Sequence, residues 1–143
     1  MADPRTVGLA RSVRGVKVYS RQMLGGCSPT FGRVELDFEP VPEGAEPSCE
    51  FACTVRPEPN AELEEALVQG VIQELGGEQT DGAQAHRARA VSALVIVRAL
   101  AWHEDDSCER GFARLGALAV REALQCIAED RQPQEIVTRV SLL

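Results

Sequence analysis

The strongest pattern in the chain is a strict alternation in which Val34, Leu36 and Phe38 fall between Arg33, Glu35, Asp37 and Glu39. A period of two predicts a half-buried strand over residues 33–39. Val16 and Val18 alternate with Gly15, Lys17 and Tyr19, which predicts an earlier strand over roughly residues 12–22. Gly25, Gly26, Ser28, Pro29 and Thr30 mark the loop between the two. Beyond a Pro- and Gly-rich stretch (Pro40, Pro42, Gly44, Pro47), Cys49, Phe51, Cys53 and Val55 alternate with Glu50, Ala52 and Thr54. This third strand is expected to pair with residues 33–39 as an antiparallel hairpin that shares one apolar face.

The period then changes. Arg56–Pro57–Glu58–Pro59–Asn60 interrupts the strand, and Asn60 has the side chain of a helix N-cap, followed by Glu62 and Glu64 where the helix dipole favours acids. Leu63, Ala66, Leu67, Gly70, Val71 and Leu75 recur at helical spacing, so a helix is predicted over residues 61–75, ended by Gly76 and Gly77. The small polar segment 78–85 reads as a loop. From Arg87 to Trp102 both alternating sets are apolar: Val91, Ala93, Val95 and Val97 on one, Leu94, Ile96 and Leu100 on the other. Such a strand is covered on both faces or partnered on its outer one, and Leu94, Ile96 and Leu100 are the expected self-association face, with a second copy of the chain as partner.

At Ala101–Glu109 the apolar run ends in acids and a second helix begins. Asp106 or Ser107 is the expected N-cap, with Glu109 completing a capping box. Cys108, Phe112, Leu115, Ala119, Ala123 and Cys126 follow the helical step over roughly residues 107–130, with Arg110, Arg114, Arg121 and Glu122 on other faces. Pro133 lies beyond its end, and Ile136, Thr138 and Val140 alternate in a closing strand. Residues 1–11 show no period and are expected to form a flexible start to a single domain over residues 12–143. The order β-β-β-α-β-α-β predicts an α+β fold with two helices on one face of a sheet, since the helices are too few for a doubly wound one.

Composition leaves that picture standing and narrows the function. At 143 residues and 44% hydrophobic, the chain suits one cored domain. No apolar run approaches the roughly 18 residues of a membrane span, and the start Met-Ala-Asp-Pro-Arg has no apolar secretory segment; a cytoplasmic protein with no membrane partner is expected. Five scattered cysteines, an odd number, argue for free thiols. Cys49 and Cys53 stand roughly 13 Å apart along their strand, too far for a bridge or a shared metal ion. The net charge of −7 is uneven: Arg5, Arg11, Arg14, Lys17, Arg21 and Arg33 face only Asp3 in residues 1–33, whereas residues 34–80 are strongly acidic with Arg56 as their one cation. Bulk charge therefore does not draw this chain to nucleic acid, and any such contact is local.

At this point the residues carry a resemblance. Gly25–Gly26, then Phe31–Gly32–Arg33–Val34, then Glu39–Pro40 are similar to a Gly-Gly pair, a Tyr-Gly-x-Val strand start and a Glu-Pro strand end in the fourth domain of translation elongation factor G and elongation factor 2. Glu50–Phe51 and Ala66–Leu67–Val68–Gln69–Gly70 resemble that family's next strand and first helix. His103–Glu104–Asp105–Asp106–Ser107–Cys108–Glu109 resembles its turn His-Asp/Glu-Val-Asp-Ser-Ser-Glu, and Gly111–Phe112–Ala113 through Arg121–Glu122–Ala123, then Pro133 and Arg139–Val140, follow in order. The match spans roughly residues 15–142. It implies the fold of ribosomal protein S5 domain 2, with a left-handed crossover, and places His103 at a distal tip that lies near RNA. Departures are the missing glycines at Val55–Asn60, where the family has Gly-Gly-x-Ile-Pro, and Ala99–Leu100–Ala101–Trp102 in place of Asp-Gly-Ser-Tyr.

The sequence has no Gly-x-x-x-x-Gly-Lys-Ser/Thr phosphate loop, so neither nucleotide binding nor GTP hydrolysis is expected. Nor is there a nucleophile, base and oxyanion arrangement or a metal-ligand set: His86 stands without a motif, and the acids after His103 project in diverging directions. No cofactor is expected. The implied function is a non-catalytic, ribosome- or RNA-associated binding module whose tip residues are Trp102, His103, Glu104, Asp105, Arg56 and Asn60. The alternative is a protein-interaction or homo-oligomeric module that keeps the fold without the translational role.

Overall fold

The computed structural model describes residues 6–22, 30–42, 44–53, 60–77, 90–103 and 107–138. Its main sheet has five strands in the order β4-β6-β3-β2-β7: β2 Val13–Gln22, β3 Thr30–Glu39, β4 Ser48–Phe51, β6 Leu94–Ala101 and β7 Ile136–Thr138. A two-residue parallel ladder joins β1 (Val7–Gly8) to β5 (Val91–Ser92). The helices are α1, Ala61–Leu75, and α2, Glu109–Glu129. The fold is α+β, as the order of periods predicts.

Strand adjacency differs from the expected hairpin. β3 pairs antiparallel with β2 on one side and with β6 on the other, while β4 lies beyond β6 and runs parallel to it. The long Pro-rich connection after β3 lets the chain pass over the place that β6 fills, and α1 forms the crossover that a parallel β4–β6 pair requires. The sheet is therefore mixed, with antiparallel ladders in the middle and a parallel strand at each edge.

Val16, Val18, Val34, Leu36, Phe38, Val95 and Val97 point from the sheet into one core. Leu63, Leu67, Val71 and Leu75 of α1 and Phe112, Leu115, Ala119 and Ala123 of α2 close it, so both helices lie on the same face. The helices approach closely where both present glycine: a Cβ on Gly70 would stand 2.0 Å from the Ala113 carbonyl oxygen, and one on Gly116 2.7 Å from that of Leu67. Glu74, 2% exposed, spans the same contact to reach Arg121 at 3.3 Å.

Three further expectations are corrected. The run 87–102 is two strands, Val91–Ser92 pairing with β1 and Leu94–Ala101 with β3 and β4, with Ala93 between the two ladders and its carbonyl accepting from Ser48 N–H; residues 87–89 lie outside the described residues. The flexible start expected over residues 1–11 does not hold for Val7–Arg11, since Val7 N–H donates to Ala90 O at 2.9 Å, Leu9 is buried, and the Arg11 guanidinium donates to the carbonyls of Cys126 and Arg131; residues 1–5 lie outside the described residues. Leu100 does not share a face with Leu94 and Ile96. A bulge in β6, seen as the shift from Leu36↔Val97 to Glu35↔Ala99, places Arg98 outside the ladder and reverses the alternation beyond it. Leu100 is thus 3% exposed in the core, while Leu94 and Ile96 stay half-buried on the outer face.

The row Glu35, Asp37, Glu39 and Glu50 is not simply solvated. Asp37 is buried and accepts from Arg98 Nε and Gly15 N–H, both at 2.9 Å. Glu39 accepts from Arg14 and from the Ser12 hydroxyl. Those partners, Arg14 first and Ser12 next, hold the Glu39 carboxyl below the ordinary range. Asp37 and Glu39 are thus paired within the sheet, whereas Glu50 is exposed.

Candidate functional site

The tip lies where β3 begins and β6 ends. Ser107 organises it. Its hydroxyl donates to the Phe31 carbonyl at 2.8 Å and accepts from His103 N–H at 2.8 Å, while Ser107 N–H donates to His103 O at 3.0 Å. The turn is thereby fastened to the sheet, with His103 exposed and Trp102 half-buried beside it. The His103 ring packs edge-on against Phe31, centroids 6.5 Å apart at 77°, and Phe31 packs edge-on against Tyr19, 5.9 Å apart at 88°.

Ser107 is consequently not the N-cap of α2. Cys108 is: its backbone is extended, and its Sγ accepts from Gly111 N–H at 3.4 Å. Ser107 has spent its acceptor on the turn, which leaves the next residue to begin the helix. Asp106 lies outside the described residues. At the start of α1, Asn60 acts as expected, its Oδ1 accepting from Leu63 N–H at 3.2 Å and its own N–H donating to Glu64.

Both helix starts border one cleft of about 330 Å³, lined by Asn60, Glu62, Leu63, Trp102, His103, Ser107, Cys108 and Glu109. Two helix N-termini would favour an anion there, but Glu62 and Glu109 stand in the first turns and offset that field. Cleft and turn can hold a planar or amide-bearing group between Trp102, His103 and Asn60 better than a phosphate.

Of the predicted tip residues, Trp102, His103 and Asn60 come together. Glu104, Asp105 and Arg56 lie outside the described residues, as does His86. The predicted self-association face is not formed as a unit, with Leu100 in the core and Ile96 flanked in register by Asp37 and Glu50. Among the described residues no three His, Cys, Asp or Glu side chains cluster as a metal site would need, and no helix is long and apolar enough to cross a membrane. Cys49, Cys53, Cys108 and Cys126 are free thiols, and burial pushes the Cys49 thiol up to about 11. Sequence reasoning missed Ser107 as the brace and Tyr19 and Phe31 as its aromatic support. Only the parity of Tyr19 and Phe31, both on the polar set of their strands, pointed to the outer face.

Replacing Ser107 by Ala is expected to cost about 1 kcal/mol, the size of one partly buried hydrogen bond with a smaller share from an exposed one, and to release the turn. Thermal melts read the first effect. Faster exchange of the His103 amide reads the second, and unchanged protection there would show that the hydroxyl does not hold the turn.

No protein-family model and no curated protein matches the chain. Among solved structures, a protein of Thermus thermophilus is similar, 23% identical with a TM-score of 0.56, over 77% of this chain and 16% of that one. The chain therefore corresponds to about a sixth of that protein's length, and at this identity the likeness shows a shared α+β fold.

Proposed function

We propose that the chain is a non-catalytic binding module of the translation apparatus, resembling domain IV of elongation factor G, which contacts ribosomal RNA through its tip. The observation that supports this reading is the Ser107-braced turn, which presents His103 to solvent beside Trp102 at a fixed place on the sheet end. A side chain held ready by backbone contacts loses little entropy on binding, and an indole next to an imidazole suits unpaired bases and their sugar edges. A protein partner is the second reading, favoured by Glu62 and Glu109 at the mouth of the cleft, which repel phosphate.

The test is co-sedimentation with ribosomal particles at moderate salt. The wild-type protein is expected in the pellet, and a Trp102→Ala, His103→Ala double variant in the supernatant. Absence of the wild-type protein from the pellet across a range of magnesium and salt would reject the ribosomal reading and leave the protein partner.

A further inference from the structure

Among the described residues the sheet has helices on one face only, and its other face is divided by charge. Toward the β4 edge and the far end lie Asp37, Glu39 and Glu50, the first two tied to Arg98 and Arg14. Toward the tip the same face carries Tyr19, Phe31 and the exposed His103, with Lys17 and Arg33 exposed among them and Val137 at 43% exposure alongside. We infer that this tip half of the outer sheet face is a stacking surface for single-stranded RNA, on which Tyr19, Phe31 and His103 meet bases and Arg33 and Lys17 hold phosphates.

Register fixes the arrangement. Tyr19 stands opposite Arg33 on β3 and opposite Val137 on β7, and Arg33 stands opposite Ala101 on β6. Ala99 and Ala101, both small, stand on the β6 side of the rings. Edge-to-face packing uses one edge or one face of each ring and leaves ring faces for a ligand. Aromatic pairs across strands also stabilise sheets without any ligand, but that role asks for no cations. Here Arg33 and Lys17 make no ion pair among the described residues, while the arginines of the other half are bound to carboxylates. Part-exposed rings together with cations outside any ion pair among the described residues, on one sheet face, fit a flexible polyanion with unstacked bases.

The two cations are unequal. Lys17 faces Glu35 in register, which weakens its pull on a phosphate, whereas the cross-strand neighbours of Arg33 are Tyr19 and Ala101. Arg33 is the principal phosphate contact. A duplex has its bases stacked internally and offers them to no such platform. The other half, with its arginines paired and Glu50 exposed, offers no phosphate contact, so the site is short, and binding weakens with salt as two phosphate contacts require.

The inference takes from the reading above that the partner is RNA; its surface meets the tip cleft at His103, and Tyr19, Phe31, Arg33 and Lys17 lie outside that cleft. The test uses the full chain and a short labelled oligouridylate, followed by fluorescence anisotropy, with an RNA duplex of the same length as comparison. The single strand is expected to bind and the duplex not. With two phosphates neutralised, log Kd should rise with log salt at a slope of about 1.4, about 0.7 for each phosphate. Tyr19→Ser and Arg33→Glu should each weaken binding about tenfold, and Tyr19→Phe should leave it unchanged. Circular dichroism and melts of the same variants separate loss of surface from loss of fold, and both substitutions lie at the surface. Absence of single-strand binding at low salt, equal binding of duplex, or folded Tyr19→Ser and Arg33→Glu variants that bind as wild type would each overturn the inference. Co-sedimentation distinguishes it from the tip reading: oligouridylate binding lost with ribosome binding kept rejects the sheet face alone, and the reverse result rejects the tip alone.

Discussion

Gly70→Ala is expected to be the most damaging small substitution in the protein, lowering stability by about 3 kcal/mol and the melting temperature by on the order of 10 °C. In an isolated helix the same change would stabilise by about 1 kcal/mol, because alanine is the better helix former. Packing reverses the sign. The added carbon would stand 2.0 Å from the Ala113 oxygen and 2.7 Å from its carbonyl carbon, and both are backbone atoms of α2 that no rotamer change can move aside. The helices must separate, and the separation opens the layer formed by Leu67, Val71 and Leu115. Gly116→Ala meets the Leu67 oxygen at 2.7 Å and should do less harm. Gly76→Ala is the control: its backbone is helical at φ −73° and its nearest neighbour would be 3.4 Å away, so a gain of about 0.4–1 kcal/mol is expected. Thermal melts of the three variants rank them, and a Gly70→Ala protein as stable as wild type would show that the helices do not cross here.

The periods that located the elements were those whose cause is local. Helix α1 has its predicted bounds because Asn60, the apolar stripe and Gly76 are contiguous signals, and β2 and β3 follow their alternation. Adjacency was not legible in the same way. The apolar faces of residues 33–39 and 49–55 match equally well whether the strands touch or a third lies between them, and only the doubly apolar β6, suited to a central position, hinted that it was the third. Arg98 is a charged residue interrupting an apolar set, but the sequence does not mark it as a bulge. Nor was the effect on Leu100 legible, because a shift in phase leaves no mark on composition.

The site was legible in part for a related reason. Trp102, His103 and Asn60 stand at the ends of periodic segments, so sequence places them at one end of the sheet. The brace made by Ser107 joins residues far apart in the chain, and a serine before a helix reads as a cap unless the turn's geometry is known. Tyr19 and Phe31 belong to the polar sets of their strands, where an aromatic ring carries no signal until the register sets it beside another.

Glu122 gives the second large effect, and it lies where the helical pattern placed a surface residue. The structure instead buries it at the end of α2, where its carboxylate accepts from Arg131 Nη1 at 2.6 Å and Nη2 at 3.2 Å, from Gln134 N–H at 2.9 Å, and from the Cys126 thiol. The Arg131 pair first, and then the Gln134 amide and the Cys126 thiol, hold this carboxyl below the ordinary glutamate range, against an opposing contribution from burial. Asp130, in the left-handed conformation at φ 51°, ends α2 and turns the chain so that Arg131 can fold back. Through Arg131 and the Gln134 amide the carboxylate anchors the α2–β7 connection and with it the edge strand β7, and Arg11 ties the amino-terminal segment to the Cys126 and Arg131 carbonyls beside it. Glu122→Gln keeps the shape but loses the charge, and one amide nitrogen must face donors; the expected cost at neutral pH is about 2 kcal/mol, or a fall in melting temperature of about 5–10 °C. The sign with pH follows from the lowered value. A carboxyl more acidic folded than unfolded contributes stability that is full above its unfolded value, near pH 4.5, and is lost as pH falls through the folded one. Wild-type protein should therefore lose melting temperature steeply below about pH 4.5, where Glu39, lowered in the same direction by Arg14 and Ser12, adds to the loss. The Glu122→Gln variant should start lower and fall less over that range, so the two curves converge in acid. Parallel curves would show that the charge of Glu122 does not hold the end of α2, and that the anchoring falls to Arg11 and the helix cap.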